Sequence, residues 1–245
     1  MKLSVVIPFY NEEGNVRFVL DEVAEVLSTT KADYEIIAVD DGSTDATGAL
    51  LKESAARMRA LQIKSNPKNL GKDASLWLGF GAARGDIVIT LDGDGQNDFH
   101  DVIKMLDNLS RYDAALGERR QRKDSPSKIG ASQIAYFFRR VILKDPVYDT
   151  ACGLKVMKKD VLRHLLPMNG FHRFIPFLLR EAGVPFQMMA VGHRPRHSGR
   201  SKFSLAKGYF WSTIGDLFFM WWYKKRNLAK IICQTAKTTE KTHAL

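Results

Sequence analysis

Four apolar runs rich in β-branched residues, Leu3 to Ile7, Glu35 to Val39, Ala60 to Lys64 and Ile87 to Leu91, recur along the first part of the chain. The segments between them are long enough for a helix each. That alternation constrains the fold most, because parallel strands need long crossovers and a helix is the usual one. Val16, Val19, Leu20, Val23, Val26 and Leu27 follow helical spacing in the first crossover, and Leu70, Ala74, Trp77, Leu78 and Ala82 do so in the third. The expectation is an α/β domain, a mostly parallel Rossmann-like sheet with helices on both faces. A chain of 245 residues with 45% hydrophobic content can bury the core this requires.

After Gly117 the rhythm changes. A basic stretch runs to Lys128, a helix is expected over Ile129 to Leu143, short pieces surround Gly153 to Met157, and another helix lies near Phe174 to Ala182. Charge divides at the same place. Residues 1–116 hold 12 Lys and Arg against 19 Asp and Glu, net −7, whereas residues 117–230 hold 23 against 7, net +16. A basic half of this kind meets nucleic acid, an anionic membrane or a phosphorylated substrate, and charge alone does not choose among them. The run Tyr209 to Tyr223 is apolar and aromatic but contains Asp216 and falls short of the roughly 20 residues that cross a bilayer. The chain opens directly into its first strand with no apolar leader, so a cytosolic setting is expected. Two cysteines, Cys152 and Cys233, are too few for a thiolate metal cage and read as inert thiols. The last residues, Gln234 to Leu245, are polar and read as a disordered tail.

In an open parallel sheet, ligands bind outside the carboxyl ends of the strands. Here those ends are acidic: Pro8-Phe9-Tyr10-Asn11-Glu12 after the first strand, Asp40-Asp41-Gly42-Ser43-Thr44 after the second, Asp92-Gly93-Asp94-Gly95-Gln96 after the fourth. Helix capping accounts for one such residue per helix, as Ser43 or Asp98 would provide, but not for three clusters at three strand ends. Carboxylates gathered on one edge repel unless a cation or a donor-rich ligand lies between them. Hard oxygen ligands of this type suit Mg²⁺ or Mn²⁺. A Walker motif is absent, and Gly79-Phe80-Gly81 carries Arg84 where a dinucleotide fingerprint needs its third glycine.

Six segments in order then carry a resemblance: Val6 to Glu12, Val39 to Asp45, Asn69-Leu70-Gly71-Lys72, Asp92 to Gln96, Gly117-Glu118-Arg119, and Arg196 to Lys202. Together they resemble a family 2 inverting glycosyltransferase of the A-type nucleotide-sugar fold, in the dolichol- or polyprenyl-phosphate sugar synthase branch. The resemblance implies that residues 1–116 form a nucleotide-sugar half and 117–207 an acceptor half of one catalytic domain. The resemblance covers residues 3 to about 207; beyond it, the residues themselves read as an amphipathic helix over 208–230, lying on a membrane or packed on its own domain or a second subunit, and a disordered tail over 231–245. The resemblance places Pro8, Tyr10, Glu12 and Asp41 around base and ribose, with Lys72, Arg196 and Lys202 also on the donor side. Asp92, Asp94 and Gln96 would hold the metal and diphosphate, and Arg119, Lys128 and Ser132 the acceptor phosphate. Lys128 stands where the family usually has arginine, which keeps charge but loses a bidentate fork. The segment Phe171 to Pro176 resembles an element of bacterial polyprenyl-phosphate transferases.

The implied reaction moves a sugar from a nucleoside diphosphate, GDP-mannose or a UDP-sugar, onto a polyprenyl or dolichyl phosphate at the cytoplasmic face of a membrane. A phosphate monoester is already ionised at pH 7 and needs no general base. A rival acceptor, a saccharide hydroxyl, does need one, and Asp145, Asp149 and Asp160 are the carboxylates available to it. A nucleic-acid partner is disfavoured because Gly117 to Lys128 contains no aromatic residue for stacking. Phe210, Trp211, Ile214, Leu217, Phe218 and Trp221 share a helical neighbourhood and are followed by Lys224-Lys225-Arg226, as in a helix lying at a membrane surface. A membrane-spanning partner or a second copy of the chain are the further partners this arrangement admits.

Overall fold

The computed structural model describes residues 1–119, 126–199 and 207–226, with side chains described in these ranges except at 126–129, 131 and 207–213. Its elements run β1 (Lys2–Phe9), α1 (Val16–Ser28), β2 (Asp33–Asp40), α2 (Thr47–Arg57), β3 (Leu61–Ser65), α3 (Lys72–Ala82), β4 (Ile87–Thr90), α4 (Val102–Asn108), β5 (Ala114–Arg119), α5 (Pro126–Leu143), β6 (Lys155–Lys158), α6 (Ile175–Glu181), β7 (Phe186–Val191) and α7 (Lys207–Arg226). Seven strands form one sheet in the order β3-β2-β1-β4-β6-β5-β7. All neighbouring pairs are parallel except those of β6, which runs antiparallel to both β4 and β5. The division expected at 116/117 falls inside β5, so both halves share this sheet.

Strands covered on both faces lose the apolar-polar alternation and become continuously apolar. In β1, Leu3, Val5, Ile7 and Phe9 join one core, with Val16, Leu20, Val23 and Leu27 of α1, Leu51 of α2 and Met105 of α4. Val6 faces the other, with Leu76 and Phe80 of α3, Leu143 of α5, Phe177 and Leu178 of α6, and Leu217 and Met220 of α7. Gly79 of α3 sits where a Cβ would come within 2.2 Å of the Val6 side chain, so glycine here permits the close approach of helix to sheet.

The expected terminal helix is present, but apolar side chains occupy two of its sides. Leu217 and Met220 are buried in the second core, whereas Phe218, Phe219, Trp221 and Trp222 point outward. Of the residues grouped together by spacing, Leu217 thus faces the core while Phe218 and Trp221 are exposed, and the side chains of Phe210 and Trp211 lie outside the described set. Asp216 pairs with Arg173 at 2.9 Å, and Lys224 donates to the Leu143 carbonyl at 2.8 Å, fastening α7 to α5 and to the turn before α6.

Candidate active site at the carboxyl edge of the sheet

Phe9 pairs with Asp40 and Val6 with Thr90, so β1, β2 and β4 end side by side. The three acidic loops therefore leave from one edge. Asn11, in the left-handed region at φ 49°, accepts a hydrogen bond from the Thr44 amide at 2.7 Å and donates its own amide to Ser43 Oγ at 3.0 Å, which stitches the first two loops together. Pro8 closes β1 beside the third: a Cβ on Gly93 would lie 2.7 Å from the Pro8 carbonyl oxygen. Tyr10 is half-buried at the same edge.

Asp41 is buried, and its carboxylate accepts from Asn66 Nδ2 at 2.7 Å, Leu70 N at 3.0 Å and Gly71 N at 2.8 Å. It therefore shapes the loop that delivers Lys72, the first residue of α3. Gly71, at φ +93°, makes the turn. Lys72 Nζ forms an ion pair with Asp92 Oδ1. Behind Asp92, a Cβ on Gly153 would come 2.3 Å from the carboxyl carbon, so only glycine lets the chain entering β6 pass there.

Asp94 accepts from the Gln96 amide at 3.1 Å and from Arg196 Nη2 at 3.1 Å. Arg196 Nη1 reaches both oxygens of Glu12 at 2.8 Å, and its Nε is buried with no hydrogen-bond partner among the described residues. The segment bearing Arg196 is strapped over the acidic loop. Arg194 donates its amide to the Gln96 carbonyl at 2.9 Å and its Nε to the Gly95 carbonyl at 2.9 Å, and the Ser198 amide donates to Asn15 Oδ1 at 3.0 Å. His197 stacks on Phe18 with ring centroids 4.3 Å apart, a packing role and not a metal-binding one. Lys202 lies outside the described residues.

Burial and the neighbouring Asp92 push the Asp94 carboxyl above its ordinary range, against the pull of Arg196. Burial also opposes ionisation of Asp92, but Lys72 and Lys155 outweigh it and hold that carboxyl below its usual range. Lys155 itself is buried on β6, where its ammonium donates to the Cys152 carbonyl; burial and then Lys72 bring its pKa down to about 8. The Asp92 and Asp94 carboxylates are hard oxygen donors of the kind Mg²⁺ or Mn²⁺ takes, and Gln96 is held beside them through its backbone amide on Asp94. Fit to a cation is also evident from what already neutralises them, since Lys72 rests on one carboxylate and Arg196 on the other. Softer donors are committed elsewhere: burial raises the Cys152 thiol pKa, and the His172 ring nitrogen Nδ1 lies 2.6 Å from Asp73. A second group, Glu22, Asp98 and His100, is neutralised by Arg194, which approaches Glu22 at 2.6 Å, and Asp98 caps the His100 amide.

On the acceptor side, Arg119 ends β5 with its fork on Asp149: Nε lies 2.7 Å from Oδ2 and Nη2 2.9 Å from Oδ1. Asp149 also accepts the amides of Arg119 and Ala151. Ser132 lies on the second turn of α5, four residues after Lys128, whose side chain is outside the described set. Asp145 is buried between Arg139 and Arg180. Asp160 is exposed at the opposite edge, since β6 runs antiparallel and Lys158 pairs with Ile87 at the start of β4. Lys155, Glu12 as partner of Arg196, and the Asp73–His172 contact escaped the sequence reading. Only Lys155 left a trace there, as a charge inside an apolar run.

A family model described as Glycosyl transferase family 2 matches residues 4–166. The chain is 34% identical over 230 residues to a dodecaprenyl-phosphate galacturonate synthase of Rhizobium johnstonii, covering 90% of this chain and 68% of that protein. It is 31% identical over 206 residues to an undecaprenyl-phosphate 4-deoxy-4-formamido-L-arabinose transferase of Aeromonas hydrophila, covering 83% and 63%. The chain thus spans about two thirds of the length of these curated relatives. Among solved structures, glucosyl-3-phosphoglycerate synthase of Mycobacterium tuberculosis with Mn²⁺, UDP-glucose and glycerol 3-phosphate shares the fold at TM-score 0.64 and 20% identity, over 91% of this chain and 79% of that one.

Proposed function

The chain belongs to glycosyl transferase family 2, and from that premise we propose that it transfers a sugar from a nucleoside-diphosphate sugar to a polyprenyl phosphate. The observation that carries this reading is the division of carboxylates. Asp92 and Asp94 face the donor edge, while among the described residues none of Asp145, Asp149 and Asp160 is placed on the acceptor side to serve as a base. Asp149 already receives four N–H groups, Asp145 is enclosed by arginines, and Asp160 lies at the wrong edge. An alcohol acceptor would need such a base; an ionised phosphate does not.

In this reading Pro8, Tyr10 and Glu12 line the base and ribose pocket, and Asp41 holds its wall. Asp92, Asp94 and Gln96 hold Mg²⁺ or Mn²⁺, which would neutralise charge on the departing nucleoside diphosphate. Lys72, Arg196 and Lys202 add positive charge around that leaving group. Arg119, Lys128 and Ser132 orient the acceptor phosphate for a single in-line displacement that inverts the anomeric carbon. The names of the relatives favour a bacterial polyprenyl carrier over dolichol, and a uronic acid or modified pentose over mannose. The test incubates the protein with undecaprenyl phosphate and a panel of UDP-sugars and GDP-mannose, and reads the lipid product by mass spectrometry. Sugar esterified to the lipid phosphate is the expected result; no lipid product from any donor, with transfer to a saccharide hydroxyl acceptor supplied in a parallel incubation, would overturn the reading.

A peripheral position on an anionic membrane fits the outward face formed by α5 and α7. On α5, Ile134, Phe137 and Val141 are exposed at helical spacing, with Phe137 at 60% and Val141 at 61%. On α7, Lys225 lies 4.1 Å from the Trp221 ring and Arg226 5.3 Å from that of Trp222, the aromatic-plus-cation chemistry of an interfacial helix. Because Leu217 and Met220 belong to the core, deleting α7 would disturb folding, and point substitutions test the surface better. Lys225→Gln with Arg226→Gln should weaken sedimentation with anionic vesicles at low salt by about 2 kcal/mol, roughly 30-fold. Trp222→Ser should weaken it at any salt concentration. Unchanged binding in both variants would assign this face to a second copy of the chain or to another protein.

A further inference from the structure

Arg196 stands where a divalent cation would have to neutralise charge. Its Nη2 lies 3.1 Å from Asp94 Oδ2, and its Nη1 holds both oxygens of Glu12 at 2.8 Å. The side chain is mostly buried, and Nε is a buried donor with no acceptor among the described residues. An unsatisfied guanidinium N–H is costly, so this arrangement is not the lowest in energy that Arg196 can reach once an anion is present. A cation and a guanidinium also repel when both sit on one carboxylate with nothing negative between them. A diphosphate placed between them reverses that sign, because its oxygens can meet the metal on one side and the guanidinium fork on the other.

We infer that Arg196 is an exchangeable internal counter-ion: it neutralises Asp94 when no cation is bound, gives that carboxylate up to a divalent cation, and transfers to the diphosphate of the donor. The inference rests on the metal assignment made above and adds an order of events to it. Glu12 is the pivot, since it holds Nη1 while Nη2 leaves Asp94. The strap of residues 192–198 fixes how far the arginine can travel, because the Arg194 amide, the Arg194 Nε and the Ser198 amide are each tied to neighbouring loops. Metal and nucleotide binding are therefore cooperative, and Arg196 is the residue through which each favours the other. By linkage the coupling is reciprocal and typically about 5- to 150-fold.

The consequence is a sign reversal that no purely structural role would produce. Mn²⁺ binding, followed by the loss of the free-ion electron paramagnetic resonance signal, is measured on the whole chain without nucleotide and then with saturating UDP, with GDP in parallel. Arg196→Gln should bind Mn²⁺ alone more tightly than the wild type, by about 5- to 50-fold, and bind it less tightly when nucleoside diphosphate is present. Arg196→Lys, which keeps a point charge without the fork, should shift both affinities in the same directions but less. Circular dichroism confirms that each variant is folded, and if the glutamine variant is not, the lysine variant carries the test. Equal or weaker Mn²⁺ binding by the folded variants without nucleotide would overturn the exchange while leaving the metal assignment standing. Absence of Mn²⁺ binding in the wild type and in both variants, with and without nucleotide, would instead overturn the metal assignment.

Discussion

Asp94→Ala should abolish nearly all sugar transfer while leaving a folded protein. Asp94 lies in the loop after β4, mostly buried, where its partners are the Gln96 amide and one nitrogen of Arg196 and where the neighbouring Asp92 opposes its charge. Losing them costs little in stability, because Arg196 keeps both contacts to Glu12. The catalytic cost is larger. Removing a ligand that holds a charge-neutralising cation forfeits several kcal/mol of transition-state stabilisation, which at about 1.4 kcal/mol per tenfold is a loss of roughly 10³-fold or more in kcat/KM. Steady-state transfer at saturating Mg²⁺ or Mn²⁺ measures the loss, and a thermal melt checks that the fold survives. Excess chelator should reproduce the loss in the wild type, and added metal should reverse it. Full turnover in chelator would remove the metal from the mechanism.

The donor edge was legible because its information is local. A strand of apolar residues ending in Asp92-Gly93-Asp94 announces a carboxylate pair at a strand end, and three such ends in a parallel sheet must share an edge. What pairs with what was not legible. Glu12 and Arg196 are 184 positions apart, and nothing near either residue marks the other. The resemblance places Asp41 around base and ribose; that its carboxylate also holds the loop that delivers Lys72 depends on the path of residues 66–71 and is not marked in the sequence. The same limit applies to β6. Its four residues are too short to announce a strand, and sequence order cannot show that it inserts antiparallel between β4 and β5 and buries Lys155 behind Asp92. On α7 the apolar spacing was read correctly as a helix, but which residues face the core depends on α5 and α6, and so Leu217 and Phe218 separate although they are adjacent.

Arg119→Ala should destabilise the fold before it reports anything about the acceptor. Arg119 makes a bidentate pair with Asp149, whose side chain is only 2% exposed. Truncating the arginine removes the charge that compensates this buried carboxylate, although the amides of Arg119 and Ala151 still donate to it, and breaking a buried pair in this way typically costs about 3–5 kcal/mol. For a chain of this size that lowers Tm by roughly 6–20 °C. Adding Asp149→Asn removes the uncompensated charge and should restore most of the lost stability, because a neutral amide keeps the shape of the carboxylate and one acceptor oxygen. The double variant then isolates the chemistry. If Arg119 also receives the acceptor phosphate, the folded double variant should still show a KM for polyprenyl phosphate raised by about 10- to 150-fold, the range for a lost charge-assisted contact, with donor affinity little changed. If KM returns to the wild-type value as Tm does, Arg119 serves only to hold Asp149 and the end of β5, and the acceptor phosphate must be bound by α5 through Lys128 and Ser132 alone.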